Sequence, residues 1–242
     1  MYKRKKIALV MACLNEAEKI GNSIKKIKKN CKGIVDEIIV VDDGSTDLTF
    51  KEAKKAGATV IKHKKNLGAG AAYRTGYFYS LKKGYDITVE LAGDDQDDPK
   101  DVKKIVESIV DYGFDYVHGS RWIKGGRTVN HPLTRSFLTK LYSFIFRIFT
   151  GFPATDATNG IRGFKTEILK NPKIKLNQEW LNKYELEPYF FYKVIQLGYK
   201  IKEVPVTKFY HKKMRSNTKM IPFKSWWSIL RPLIYLKFKI KE

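Results

Sequence analysis

Five short apolar runs (residues 7–12, 37–41, 59–62, 87–91 and 115–118) alternate in the first half of the chain with four stretches of helical periodicity (16–30, 48–56, 70–83 and 101–112). Strands this short and this apolar need cover on both faces, and an intervening helix supplies the crossover that parallel pairing requires. The alternation therefore dictates an α/β fold, with a mostly parallel central sheet and helices on both faces. Ligands of such sheets bind beyond the carboxyl ends of the strands. Those ends are where chemistry is to be sought.

Four of the runs end in polar clusters. The first enters Cys13-Leu14-Asn15-Glu16, the second Asp42-Asp43-Gly44-Ser45-Thr46-Asp47, the fourth Gly93-Asp94-Asp95-Gln96-Asp97-Asp98-Pro99 and the fifth Gly119-Ser120-Arg121. In the second cluster Ser45 or Thr46 suits a helix cap, and Asp47 suits the positive end of that helix. Capping leaves Asp42 and Asp43 unexplained, because adjacent carboxylates after a buried strand repel each other. Carboxylates there suit hydrogen bonds to ribose hydroxyls or base N–H groups.

The cluster after the fourth run sets four carboxylates and an amide within six residues. Two like charges about 4 Å apart cost roughly 1–4 kcal/mol. A hard divalent ion, Mg²⁺ or Mn²⁺, relieves that repulsion and binds through one or two carboxylates plus substrate phosphates. Alternation directs Asp94 and Gln96 to one side, making them the expected ligands, while Asp97 and Asp98 suit the start of the next helix. The stretch Asn66-Leu67-Gly68-Ala69-Gly70-Ala71-Ala72-Tyr73-Arg74 has the glycines of a loop entering a helix. Backbone N–H groups there meet an anion, although close helix–sheet packing calls for the same small residues.

Charge narrows the partners. Lys and Arg total 47 against 25 Asp and Glu, a net of +22, which points to nucleic acid, anionic lipid or a phosphorylated substrate. A solvated helix face such as Lys25-Lys26-Ile27-Lys28-Lys29 accounts for part of it. Nucleic acid fits poorly, since the acidic strand ends would repel its phosphates, and it is not expected as a partner. The two cysteines, Cys13 and Cys31, form no framework of bridges, and the four histidines are too scattered for a zinc site. The basic start leads into a strand rather than a signal peptide, and no apolar stretch approaches the about 20 residues of a membrane span.

The second half changes character. Residues 131–152 are rich in Phe, Ile and Leu, with Arg135, Lys140 and Arg147 interspersed and the last two on one helix stripe. Residues 223–239 carry Trp226, Trp227, Leu230, Leu233, Ile234 and Phe238 among Arg231, Lys237 and Lys239. Such helices suit the headgroup region of a membrane, or else packing on the domain or a partner. The organisation expected is one domain over 1–222, followed by an amphipathic basic and aromatic segment over 223–242.

Taken in order, these segments resemble family 2 of the glycosyltransferases, with its Rossmann-like GT-A fold, and within it the dolichol- and polyprenyl-phosphate sugar synthases. The resemblance runs from about Lys6 to Met220. It is carried by Asn15-Glu16-Ala17-Glu18, Val41 to Asp47, Asn66-Leu67-Gly68, Asp94-Asp95-Gln96, Gly119-Ser120-Arg121, Asp156-Ala157-Thr158-Asn159-Gly160-Ile161-Arg162 and Glu203-Val204-Pro205. It implies a nucleoside held by Glu16 and Asp42 or Asp43, with Ala12, Leu14, Asn66 and Gly68 around it. It implies a divalent ion on Asp94 and Gln96, and phosphates of donor and acceptor on Arg121 and Arg135. Asp94, Arg121 and Arg135 are then the catalytic residues, and a basic loop with Lys213, Arg215 and Lys219 closes over the site.

Three positions depart from the family pattern. Ala92 stands where the metal motif often begins with Asp, leaving Asp95 to compensate; Ala12 replaces a proline; Ser216 replaces the hinge glycine of the closing loop. The implied activity is inverting transfer of a hexose from a nucleotide-diphosphate sugar to a polyprenyl phosphate. The chain would sit on the inner, cytoplasmic face of an anionic membrane, with room for a membrane-embedded partner subunit. A sugar-hydroxyl acceptor would instead need a carboxylate base, for which Glu185 and Glu187 are the candidates.

Overall fold

A computed structural model describes residues 1–130, 133–210 and 224–241. Strands β1 (Ile7–Cys13), β2 (Glu37–Asp42), β3 (Thr59–Lys62), β4 (Ile87–Ala92) and β5 (Tyr116–Ser120) alternate with helices α1 (Ala17–Asn30), α2 (Thr49–Lys55), α3 (Ala69–Lys82) and α4 (Asp101–Val110). Then come β6 (Arg127–Val129), α5 (Leu133–Thr150), β7 (Arg162–Lys165), α6 (Leu186–Gln196), β8 (Ile201–Pro205), β9 (Thr207–Phe209) and α7 (Lys224–Lys237). The central sheet has seven strands in the order β3-β2-β1-β4-β7-β5-β8. Pairing is parallel except for β7, which runs antiparallel between β4 and β5. No apolar run marks β7, which begins at the end of a Gly/Thr/Asn-rich stretch, Thr155–Gly163. Strands β6 and β9 form a separate parallel ribbon.

Alternation along the strands sorts the core into two layers. Ile7, Leu9, Met11, Ile38 and Val40 face α1, α2 and α4, which answer with Ile20, Ile24, Ile27, Ala53, Val102 and Ile105. Ala8, Val10, Ile39 and Val41 face the other way, towards Tyr77 of α3, Tyr142 and Phe146 of α5 and Phe190 and Phe191 of α6. Each large side chain buried this way contributes about 1.5–3 kcal/mol. Both faces are covered, as parallel strands require.

Helix α7, in the segment set apart over 223–242, takes the packing alternative. Leu233 and Leu236 of α7 are buried in the aromatic layer, and the Tyr142 hydroxyl donates to the Ile229 carbonyl. Helix α5 buries Tyr142, Ser143 and Phe146 but leaves a stripe outside, with Phe137 66%, Leu141 42%, Phe144 57% and Ile148 63% exposed. These lie at spacings of four, three and four residues, hence on one helix face. Among the described residues no helix is long and apolar enough to cross a membrane.

Candidate active site

The ends of β1 and β2 are sewn together by short side chains. Asn15, at φ 52°, donates its amide to Ser45 Oγ and accepts the Thr46 amide on Oδ1. Thr49 Oγ1 and Asp47 accept the first amides of α1, those of Glu16 and Ala17, while Asp47 also accepts the Thr49 amide at the start of α2. Asp47 therefore sits on the positive end of α2 as expected, whereas Ser45 serves Asn15. Glu16 is buried at the head of α1 and pairs with Lys19 at 3.0 Å. Ala12 lies between Val41 and Ala92 in register, and Leu14 follows directly.

The paired carboxylates after β2 diverge. Asp42 is fully buried and its Oδ1 accepts the Ser45 amide at 2.9 Å, while Lys62 stands 3.9 Å from Oδ2. Asp43 accepts His63 Nδ1 at 2.7 Å and the Leu67 amide at 3.0 Å on Oδ1, and the Gly68 amide at 2.7 Å on Oδ2. Its carboxylate fastens the 63–68 loop. At the far side of that loop Gly68 has φ 107°, and a Cβ there would meet the Asn182 carbonyl at 2.3 Å. The Gly70 and Ala71 amides donate to Lys183 O and Asn182 O. The glycines thus serve close packing, and those amides of the α3 start are already used.

The acidic cluster after β4 is largely neutralised from within. Asp95, at φ 60°, turns to α1 and accepts from Asn22 at 2.9 Å and Lys26 at 2.7 Å. Asp98 caps the next helix through the Lys100 amide. Asp97 was expected only to cap; instead it accepts the buried Lys208 ammonium at 2.9 Å and the Ala92 amide at 3.3 Å. Neither Asp94 nor Asp98 has an ion pair among the described residues, and the Oδ1 of Asp94 accepts the Gln96 amide at 3.2 Å. Burial pushes the Asp94 carboxyl up, Lys208 opposes this, and Asp97 and Glu16 add to it. Asp94 is therefore half-buried and within electrostatic reach of Lys208, Asp97 and Glu16. Gln96 holds β9 by accepting the Phe209 amide on its carbonyl.

Could this hold a divalent ion? Among the described residues no group of three His, Cys, Asp or Glu side chains is disposed as a cage. One half-buried carboxylate with an amide two residues on fits an ion shared with a diphosphate, and does not fit one held by protein alone.

Arg121 ends β5 in a closed constellation. Its Nε and Nη2 donate to the two oxygens of buried Asp156 at 2.6 and 2.7 Å, its Nη1 to the Tyr210 hydroxyl at 2.6 Å and its Nη2 to Thr158. Burial opposes the guanidinium charge, but the Asp156 pairing outweighs it and holds the group well above its ordinary pKa. The expectation that Arg121 grips phosphate meets a guanidinium already committed at each nitrogen, because Asp156 and Tyr210 were invisible as its partners in the linear chain. Arg135, on the first turn of α5, lies over the Tyr210 ring at 5.2 Å. Tyr210 thus joins the two arginines. Lys213, Arg215 and Lys219 lie outside the described residues.

Beneath the site runs a charge network with no warning in the local sequence. Arg162 of β7 is buried between Glu90 of β4, 3.6 Å away, and Glu187 of α6. Glu90 also accepts the Tyr77 hydroxyl. In register beside Arg162 stands His118, whose pKa burial and the Arg162 charge pull down to about 3. Its ring is therefore neutral. Glu185 is fully buried and pairs with Arg231 of α7. Both carboxylates proposed as bases thus carry an arginine partner. The available signal was Glu90, Arg162 and His118 set inside strands, and they form a row only once β7 is known to lie between β4 and β5.

Comparison with known proteins bears on this arrangement. The sequence model described as "Glycosyl transferase family 2" matches residues 8–171. A UDP-N-acetylglucosamine–dolichyl-phosphate N-acetylglucosaminyltransferase from Methanococcus voltae is 31% identical over 93% of this chain and 95% of its own. A polyprenol monophosphomannose synthase from Mycolicibacterium smegmatis is 29% identical over 82% of this chain and 76% of its own. Among solved structures, glucosyl-3-phosphoglycerate synthase from Mycobacterium tuberculosis, in complex with Mn²⁺, UDP and phosphoglyceric acid, superposes with a TM-score of 0.73. It covers 99% of this chain and 80% of its own at 19% identity, a likeness of fold.

Proposed function

The chain belongs to glycosyl transferase family 2, and from that premise we propose that it moves a hexose from a nucleotide-diphosphate sugar to a polyprenyl phosphate at an anionic membrane surface. The observation that carries the acceptor is a single helix. Helix α5 bears Arg135 on its first turn, facing Tyr210, and the exposed stripe of Phe137, Leu141, Phe144 and Ile148 along its length. Arg135 suits the phosphate of a lipid whose tail follows the stripe, and Lys140 and Arg147, exposed on the same helix, suit anionic headgroups. A membrane-embedded partner subunit would meet the same stripe.

On the donor side, the nucleoside diphosphate lies over the ends of β1, β2 and β4, with Ala12, Leu14 and Glu16 on one side and Asn66 and Gly68 on the other. Asp42 and Asp43 shape that pocket, Asp43 by holding the 66–68 loop in place. Asp94 and Gln96 would hold Mg²⁺ or Mn²⁺ together with the diphosphate, and the ion would supply charge neutralisation for the leaving group. Arg121 acts through Asp156 and Tyr210 as a positioning residue for Arg135. Lys213, Arg215 and Lys219 suit the phosphates by their charge.

A phosphate oxygen is already anionic and needs no strong base. That chemistry is supported by Glu185 and Glu187, each tied to an arginine, Arg231 and Arg162. The oxygen attacks the anomeric carbon in line as the bond to the diphosphate breaks, inverting the configuration. Orientation and fixed charge supply the rate enhancement. The test is a panel of UDP- and GDP-sugars with Mn²⁺ and a short polyprenyl phosphate in liposomes. A lipid-linked sugar phosphate is the expected product; transfer only to sugar hydroxyls would overturn the reading. Salt-sensitive co-sedimentation with anionic liposomes, weakened in Phe144→Glu, tests the membrane surface separately.

A further inference from the structure

We infer that Lys208 is a built-in counter-cation of the acidic strand end, so that a divalent ion does not bind there alone and enters only together with the nucleotide's diphosphate. The inference deepens the donor reading above and rests on it for its second clause. Its basis is an ion pair that local sequence does not announce. Lys208 is 8% exposed, and its ammonium stands 2.9 Å from Asp97 Oδ1. The other oxygen of Asp97 accepts the amide of Ala92, the residue that has no carboxylate to offer.

The ammonium is delivered by backbone, not by a swinging side chain. Strand β9 is clamped on the acidic loop by three bonds: Phe209 N to Gln96 O at 2.8 Å, Asp98 N to Thr207 O at 3.2 Å and Thr207 N to Asp101 Oδ2 at 2.6 Å. Asp97 and Lys208 form an isolated antiparallel bridge within that clamp. Lysine cannot ligate a metal while protonated, and it repels one. Asp95 is meanwhile held by Lys26 and Asn22 on the α1 side. Asp98 is turned to the Lys100 amide at the head of α4. What remains at the expected ligands is one carboxylate, Asp94, one amide, Gln96, and a net charge reduced by the neighbouring ammonium. Hard divalent ions dehydrate reluctantly for so few ligands, whereas a diphosphate adds the missing oxygens and charge.

Calorimetric titration of MnCl₂ into the full chain tests this, first without nucleotide and then with UDP or GDP. Wild type without nucleotide should bind Mn²⁺ at least about tenfold more weakly than with it. Lys208→Met, which leaves Asp97 as a further carboxylate without an ion pair, should bind Mn²⁺ alone at least about tenfold more tightly than wild type. Lys208→Arg should behave as wild type. Equal Mn²⁺ affinity in wild type and Lys208→Met, or an affinity in wild type that nucleotide does not improve, would overturn the inference. Should Lys208→Met lose its circular dichroism signature, Asp97→Asn decides with the opposite sign. The freed ammonium then faces Asp94, and Mn²⁺ binding with nucleotide should weaken; binding unchanged or tighter sinks the proposal. If neither UDP nor GDP binds at all, the donor reading fails, and the nucleotide-free arms still judge Lys208.

Discussion

The ends of β2 and β4 pose one problem, clustered carboxylates at the close of a buried strand, and solve it differently. After β2, backbone amides and an imidazole do most of the work, with Lys62 at a longer 3.9 Å from Asp42: Ser45 N on Asp42, with Leu67 N, Gly68 N and His63 on Asp43. After β4, lysines do it: Lys26 on Asp95 and Lys208 on Asp97, with Asp94 left over. Amides fix a carboxylate's position, and their bonds are lost only if the loop moves. Ammonium groups fix charge while leaving an adjacent carboxylate open to a ligand. The first end is therefore framework, and the second keeps Asp94 without an ion pair among the described residues.

The largest effect expected is on turnover. Asp94→Asn should lower kcat/KM by at least about a hundredfold, the scale of losing one preorganised charge at a reacting centre. Stability should hold or rise, because burial already disfavours the ionised Asp94. A fall in melting temperature together with retained transfer would reverse the comparison. Asp43→Asn should give the mirror image. Leaving buried donors without their acceptor costs about 2–3 kcal/mol in urea unfolding, with donor KM raised more than kcat is lowered. An Asp43 variant of wild-type stability would show that the 63–68 loop does not need it.

Asp95→Asn sharpens the comparison within the second end. If Asp95 compensated for Ala92 as a ligand, activity would fall as it does for Asp94→Asn. Its carboxylate instead faces the half-exposed Lys26 and Asn22. Turnover should stay within about threefold, and stability within about 1 kcal/mol, as for exposed ion pairs. Mn²⁺ affinity measured with nucleotide should be unchanged.

The sheet was legible because each strand of the first half is a compact apolar run and each helix has its own period; β1 to β5 fall within a residue or so of where alternation puts them. Strand β7 was not, since Arg162-Gly163-Phe164-Lys165 is no apolar run and starts inside a Gly/Thr/Asn-rich stretch. Its glycine is demanded by contact, as a Cβ would meet Ile105 at 2.4 Å. Asp94 and Gln96 could be chosen from alternation alone. The partners that decide what Asp97 and Arg121 do could not: Lys208 is 111 residues from Asp97, and Tyr210 is 89 from Arg121. Local spacing carries no information across such separations. Adjacent acids were therefore readable as a puzzle, but not as one whose answer lay mostly inside the chain.

The smallest expected effect concerns Asp47, which belongs to the first end and tests whether amides really set its character. Burial raises the Asp47 carboxyl, but hydrogen bonds from the Thr49 side chain, the Thr49 amide and the Ala17 amide outweigh it, and the pKa falls below the ordinary 3.8. A carboxylate held lower in the folded chain than in the unfolded one contributes stability that is fully present above the unfolded value. That contribution disappears as pH drops through the folded value. Wild type should accordingly exceed Asp47→Asn in urea midpoint at pH 7, and the gap should close towards pH 3. A gap independent of pH would mean that Asn keeps the same caps on α1 and α2, so that geometry, not charge, holds this end. A gap that widens in acid would contradict the amide-held carboxylate outright, since only a group with a raised pKa in the fold gains in that direction.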